Sequence, residues 1–99
     1  MSELPPGVAF EETWLIEATY SPDGAESRAP FRAAHLARMA ELRDAGILVE
    51  VGAYADVSAS ILIVRAASEE AALAIARDDV YLANGVWVEV RARRFMRMA

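Results

Sequence analysis

Between Phe10 and Tyr20 apolar and polar letters alternate. Trp14, Ile16, Ala18 and Tyr20 fall on one side of an extended chain, and Thr13, Leu15, Glu17 and Thr19 on the other, which predicts a strand. SPDGAESRA then reads as a turn-rich loop. From Pro30 the period changes. In PFRAAHLARMAELRDAG, residues 30 to 46, His35, Leu36, Met39 and Leu42 recur at helical spacing, while Arg38, Glu41 and Asp44 take the water-facing side. Pro30 suits the first helical turn, and Gly46 is a natural stop. ILVEVGAY and SASILIVRA follow as two short β-rich runs, joined near Ala55-Asp56 as a hairpin. Ser68 opens a second helix as its N-cap, with Glu69 and Glu70 at the helix's positive end. Ala72, Ile75, Ala76 and Asp79 share one face of it. ANG breaks the chain, and VWVEVRARRF is a last strand. Its Val86, Val88, Val90 and Ala92 oppose Trp87, Glu89, Arg91 and Arg93.

This order, β-α-β-β-α-β, predicts an α+β, ferredoxin-like fold: a four-stranded antiparallel sheet with two helices on one face. Residues 1 to 9 read as a tail broken at Pro5-Pro6-Gly7, and residues 10 to 99 as one domain. The first strand carries apolar groups on both of its faces. An uncovered apolar sheet face marks an interface, so a homodimer packed through that face is expected.

Composition sharpens this. A chain of 99 residues buries a limited interior, yet 56% of its residues are hydrophobic, more than such a core needs. A net charge of −5 and a pI near 4.8 argue against general nucleic-acid or anionic-membrane binding. RARRFMRM, with Arg91, Arg93, Arg94 and Arg97, is a local exception: either an edge strand guarded by charge or a counter-charge for an anionic ligand. No cysteine means no disulfide, thiolate nucleophile or cysteine-based metal site. All ten basic residues are arginine, so no Schiff-base lysine exists. One histidine cannot build a multi-histidine metal site, and no carboxylates show calcium-loop spacing. MSELPPG lacks the features of a signal peptide, and no apolar run has membrane-spanning length. A cytoplasmic protein is expected.

His35, the only histidine, stands at the border of the first helix's apolar face, and Asp79 closes the stripe of the second. A histidine satisfied by a backbone carbonyl or water, and an acid capping local N–H groups, are the plain alternatives. Asp78 is another carboxylate, off the apolar stripe.

The motifs form a recognisable ordered set. Arg32 stands three residues before the His35-Leu36 pair; Gly46 and Gly52 bracket the second strand; Ser-Glu-Glu-Ala opens the second helix. Asp79-Val80-Tyr81 closes it, and Gly85 leads into the last strand. Over about residues 10 to 97 the chain resembles the YCII-related (YciI-like) family. It departs from the family pattern at Val80, where a proline is usual, and at Ala53 after Gly52, where a proline often stands. The resemblance implies a dimeric α+β barrel and an enzyme whose active-site pair is a histidine and an aspartate, here His35 and Asp79. At least one relative looks like a dehydrochlorinase of a hydroxylated aromatic ring. Arg32 and Tyr81 are carried as substrate contacts; a solvent-facing arginine and a core or interface tyrosine are the alternatives, as they are for Trp14 and Tyr20.

A carboxylate bonded to one imidazole nitrogen fixes the tautomer and leaves the other nitrogen free to take or give a proton. At about 4 Å the charged forms attract by about 4 kcal/mol at an effective dielectric of 20, more than helix-end effects of about 0.3–1 kcal/mol. The two residues meet either within one chain or across a dimer. Three functional classes follow. The first is an enzyme without metal or organic cofactor, in which His35 moves a proton on a small carbonyl or hydroxy-aromatic molecule and Asp79 orients it. The second is a non-catalytic dimeric module binding a small ligand or a protein. The third, by shared fold alone, is a cofactor-independent oxygenase.

Overall fold

A computed structural model describes residues 3–99 of the protein. Met1 and Ser2, the first residues of the expected tail, lie outside the described residues. Strand β1 spans Phe10–Tyr20, as its alternation predicts, and among the described residues before it a turn runs from Pro5 to Val8. Three further strands follow: β2 (Leu48–Ala53), β3 (Ala59–Val64) and β4 (Trp87–Met98). They pair antiparallel in the order β2-β3-β1-β4, the order a βαββαβ chain takes when each crossover skips one strand.

The loop after β1 is not wholly irregular. It holds a short helix, α1 (Gly24–Ser27), and then a 3₁₀ turn over Ala29–Phe31 that contains Pro30. Gly24 presses against the Tyr20 ring; a Cβ there would lie 2.7 Å from Tyr20 Cδ1. The long helix α2 (Arg32–Asp44) thus begins two residues after Pro30. It stops where the sequence says it should. Gly46 takes φ +77°, its N–H reaches the Arg43 carbonyl, and the Ile47 N–H reaches Leu42, which is a Schellman ending.

Helix α3 (Glu69–Arg77) is capped by Ser68, whose hydroxyl accepts from the Ala71 N–H. It ends before Asp79. The expectation that Asp79 lies on this helix's stripe is corrected. Asp78 is the C-terminal cap of α3, and Asp79 has extended backbone (φ −82°, ψ 141°) and caps a separate turn, α4 (Val80–Ala83).

One sheet face carries the core. Trp14, Ile16, Ala18 and Tyr20 of β1, with Leu62 and Val64 of β3, bury against Met39 of α2 and Ala72 and Ala76 of α3. The opposite face, with Leu15, Ile61 and Ile63, has no helix on it and its apolar side chains are half-buried. Two expected positions differ. Leu36 is 51% exposed instead of joining the α2 stripe. In β4 the simple alternation fails: a register shift sets Thr19 opposite Glu89 but Tyr20 opposite Trp87. Val88 is the bulged residue and is exposed, while Trp87 turns under the helices and is 1% exposed.

Candidate active site

The bulge and the α3–α4 break together build the site. Trp87 comes inward at the start of β4, Asp79 caps the turn between the helices, and His35 reaches both from the second turn of α2. The ring nitrogen Nδ1 of His35 lies 2.9 Å and 3.0 Å from the two Asp79 carboxylate oxygens, within one chain. His35 is 5% exposed and Asp79 fully buried. A buried carboxylate is expensive unless its lone pairs are met, and here they are. The Tyr81 N–H donates at 2.9 Å and the Arg38 guanidinium at 3.1 Å.

Burial pushes the Asp79 pKa up, but the hydrogen bonds from His35, the Tyr81 N–H and Arg38 outweigh it and hold the group below its ordinary value. Asp79 is therefore a carboxylate, able only to accept, so Nδ1 of His35 carries the hydrogen that joins them. The other nitrogen, Nε2, meets no partner among the described residues. Two aromatic rings fix the imidazole plane. Tyr81 stacks on it, with centroids 3.9 Å apart and planes 11° from parallel, and Trp87 packs edge-on at 5.3 Å.

His35 forms part of the wall of a cavity of about 200 Å³. Tyr81 and Arg32 line it too, and Asp79 contacts His35 without lining the cavity itself. Burial raises the Tyr81 pKa, with Tyr20 and Asp79 adding to it against Arg28 and Arg32. Tyr20 also lines the cavity, its hydroxyl accepting from Ser60 at 3.1 Å. Trp14 does not belong here; its indole N–H donates to the Ala66 carbonyl in the core. Asp78 is exposed and takes no part. A larger cavity of about 490 Å³ lies against β4, but its lining holds no histidine and its Arg91 is already paired with Glu17 at 2.8 Å. The smaller cavity is the one that the histidine lines.

Four contributors escaped the sequence reading. Arg38, expected to face water, turns in to Asp79; its spacing of three residues from His35 on a helix was the available signal. Ser60 shares the face of Leu62 and Val64, a polar letter at a buried position of β3. Arg28 hides in a segment that lacks helical period, and Trp87 is placed by a bulge that no alternation reveals.

Comparison with known proteins agrees with this architecture. The model of the YCII-related domain matches residues 13–96. Among solved structures, the chain is similar to 5-chloro-2-hydroxyhydroquinone dehydrochlorinase from Burkholderia phenoliruptrix AC1100 in complex with 2,5-dihydroxybenzoquinone. The TM-score is 0.72 at 22% identity, covering 84% of this chain and 92% of that one. No curated protein sequence matches significantly. At that identity the likeness establishes the fold.

Proposed function

The chain belongs to the YCII-related family, and from that premise we propose that it is a small-molecule enzyme in which His35 transfers a proton. In the resting site neutral His35 donates through Nδ1 to Asp79. Its Nε2 lone pair then takes a proton from an acidic C–H or O–H of a substrate in the 200 Å³ cavity. Asp79 steadies the imidazolium that forms, and stays a carboxylate because Arg38 and the Tyr81 N–H hold it so. The proton returns to another atom of the substrate, giving isomerisation, or the leaving group departs as an anion with its bonding pair and the imidazolium passes its proton to solvent, giving elimination. Arg32 and Tyr81 contact the substrate. The fold neighbour's printed activity, a dehydrochlorination of a hydroxylated ring, is an elimination of this kind. The observation that carries the reading is the Nδ1–carboxylate contact at the cavity wall.

The chain works as a homodimer in this proposal, joined through the sheet face that bears Leu15, Ile61 and Ile63, and is cytoplasmic; among the described residues no helix is long and apolar enough to cross a membrane. That uncovered face also favours a second reading, a dimeric binding module without catalysis. Turnover separates the two. Purified protein is screened with enolisable carbonyl compounds and halogenated hydroxy-aromatics, and any turnover found should vanish in His35→Gln. Activity that persists in that variant overturns the role given to His35, and ligand binding without turnover of any member of the panel favours the module.

A further inference from the structure

Arginine supplies all the positive charge on the side chains, and Arg38, Arg65, Arg91, Arg94 and Arg97 each meet a carboxylate. Arg28 and Arg32 meet none among the described residues, and both line the small cavity. No aspartate or glutamate lines it. In a chain of net charge −5, this is a pocket of uncompensated positive charge.

Arg28 and Arg32 flank the 3₁₀ turn that leads into α2. Arg28 (φ −70°, ψ −20°) and Arg32 (φ −66°, ψ −42°) are both in the right-handed helical region, and the Phe31 N–H bonds back to the Arg28 carbonyl at 2.9 Å. The 3₁₀ turn between them repeats every three residues, so it does not itself align Arg28 with Arg32; Arg32 and His35, three apart in α2, share a helix face, and all three residues line the cavity. Ser60 and Tyr20 also line the cavity, and with Ser60 donating to the Tyr20 hydroxyl, Tyr20 keeps a hydrogen to donate. Leu36 and Val51 supply an apolar wall. The space thus offers cations and donors to a ligand rich in acceptors, with room beside them for a small apolar body.

We propose that the cavity binds a small monocarboxylate, its carboxylate held between Arg28 and Arg32 and its apolar body against Leu36 and Val51 beside His35. Two guanidinium groups recognise a carboxylate through paired, charge-assisted hydrogen bonds. The inference rests on the proposed reaction only for the placing of His35 next to the reacting atom; the anion site itself needs no turnover.

The test uses the full chain and three probes: benzoate, its neutral isostere benzamide, and inorganic phosphate, which has the charge without the apolar body. Because the chain has one histidine, the His35 ring resonances report the cavity without overlap. Benzoate should shift them saturably, with benzamide and phosphate far weaker. Arg28→Gln and Arg32→Gln should each weaken benzoate by about tenfold, the loss of one charge-assisted contact, and Arg43→Gln, at an exposed site away from the cavity, should not. Added salt should weaken benzoate but not benzamide in the unaltered protein, a readout that needs no variant to fold. Benzamide or phosphate binding as tightly as benzoate, no response to benzoate, or full affinity in both cavity variants overturns the proposal. Benzoate binding that persists while no substrate turns over leaves the anion site standing and removes the catalytic reading.

Discussion

Strand β1 joins two regions that use the same chemical groups to opposite ends. At its last residue, Tyr20, it enters the wall of the cavity, where Asp79 is enclosed by His35, Arg38 and a backbone N–H. At its start, Glu11 and Glu12 face the arginines of β4 and the residue after β3: Arg65 and Arg97 on Glu11, Arg94 on Glu12. Both regions contain short carboxylate–cation contacts. In the ladder every partner keeps at least about a third of its side chain in water, whereas Asp79 keeps none. Exposed pairs lose their attraction to solvent screening and to side-chain entropy. A buried one cannot be dissolved into water, so each missing partner leaves a stranded charge. Contact distance is similar in the two places; what differs is the cost of breaking the contact.

The largest effects should come from the buried side. His35→Gln removes the proton carrier, and turnover should fall about 10²–10⁴-fold, the usual contribution of a positioned acid–base group. Asp79→Ala should lower stability by about 3–5 kcal/mol, since it strands the Nδ1–H, the Tyr81 N–H and the Arg38 guanidinium together. Urea denaturation measures this loss. A cost near that of a surface substitution would mean that the site is far wetter than its burial implies.

Arg38→Gln tests the intermediate case, because Arg38 is 23% exposed while its partner is fully buried. Asp79 then keeps two of its donors, so the loss should be about 1.5–3 kcal/mol, the range for a hydrogen bond to a charged group. Turnover should fall less than in His35→Gln, because Arg38 acts through Asp79 and does not carry the proton.

How much of this was legible in the letters depends on whether local period and tertiary position agree. β1 was read to the residue because its alternation survives in the sheet, and the α2 ending because Gly46 supplies the positive φ a Schellman turn needs. The meeting of His35 and Asp79 was not derivable from helix geometry. Two roughly parallel helices stagger a residue near one start from a residue near the other end. The structure removes the stagger by ending α3 at Arg77 and letting Asp79 cap α4. An Asp-x-Tyr step can be seen in sequence, but its extended backbone cannot. Trp87 illustrates the other kind of miss. One bulged residue reverses the phase of β4, and alternation carries no mark of where the phase reverses.

Acid separates the regions further. Asp79's pKa in the folded chain lies below its ordinary value of 3.8, so its contribution is fully present above that value and is lost as pH falls through the folded one. Stability of the unaltered chain and of Asp79→Asn, followed by denaturation from neutral to strongly acid pH, should differ by a constant amount near neutrality. The gap should close only in acid below the ordinary carboxylate range. A gap that opened as pH fell would carry the wrong sign for an ionised, hydrogen-bonded carboxylate.

The smallest effect is the most telling for the comparison. Glu11 has the shortest contact of the ladder, 2.6 Å to Arg65, and a second cation in Arg97 at 3.0 Å. The Arg65 hydrogen bond holds its pKa below the ordinary value, ahead of the opposing effect of burial and the lesser help of Arg97. Judged by distance and partner number, it should matter as much as Asp79. Judged by solvent, it should matter far less, because water replaces each lost contact at both ends. Glu11→Gln should therefore move the urea midpoint only slightly, and molar salt should erase even that difference while leaving the Asp79→Ala loss in place. Equal costs at the two carboxylates, or a Glu11→Gln loss that salt does not touch, would show that contact geometry and not burial ranks these pairs. The case for the buried site as the place of chemistry would then lose its physical footing.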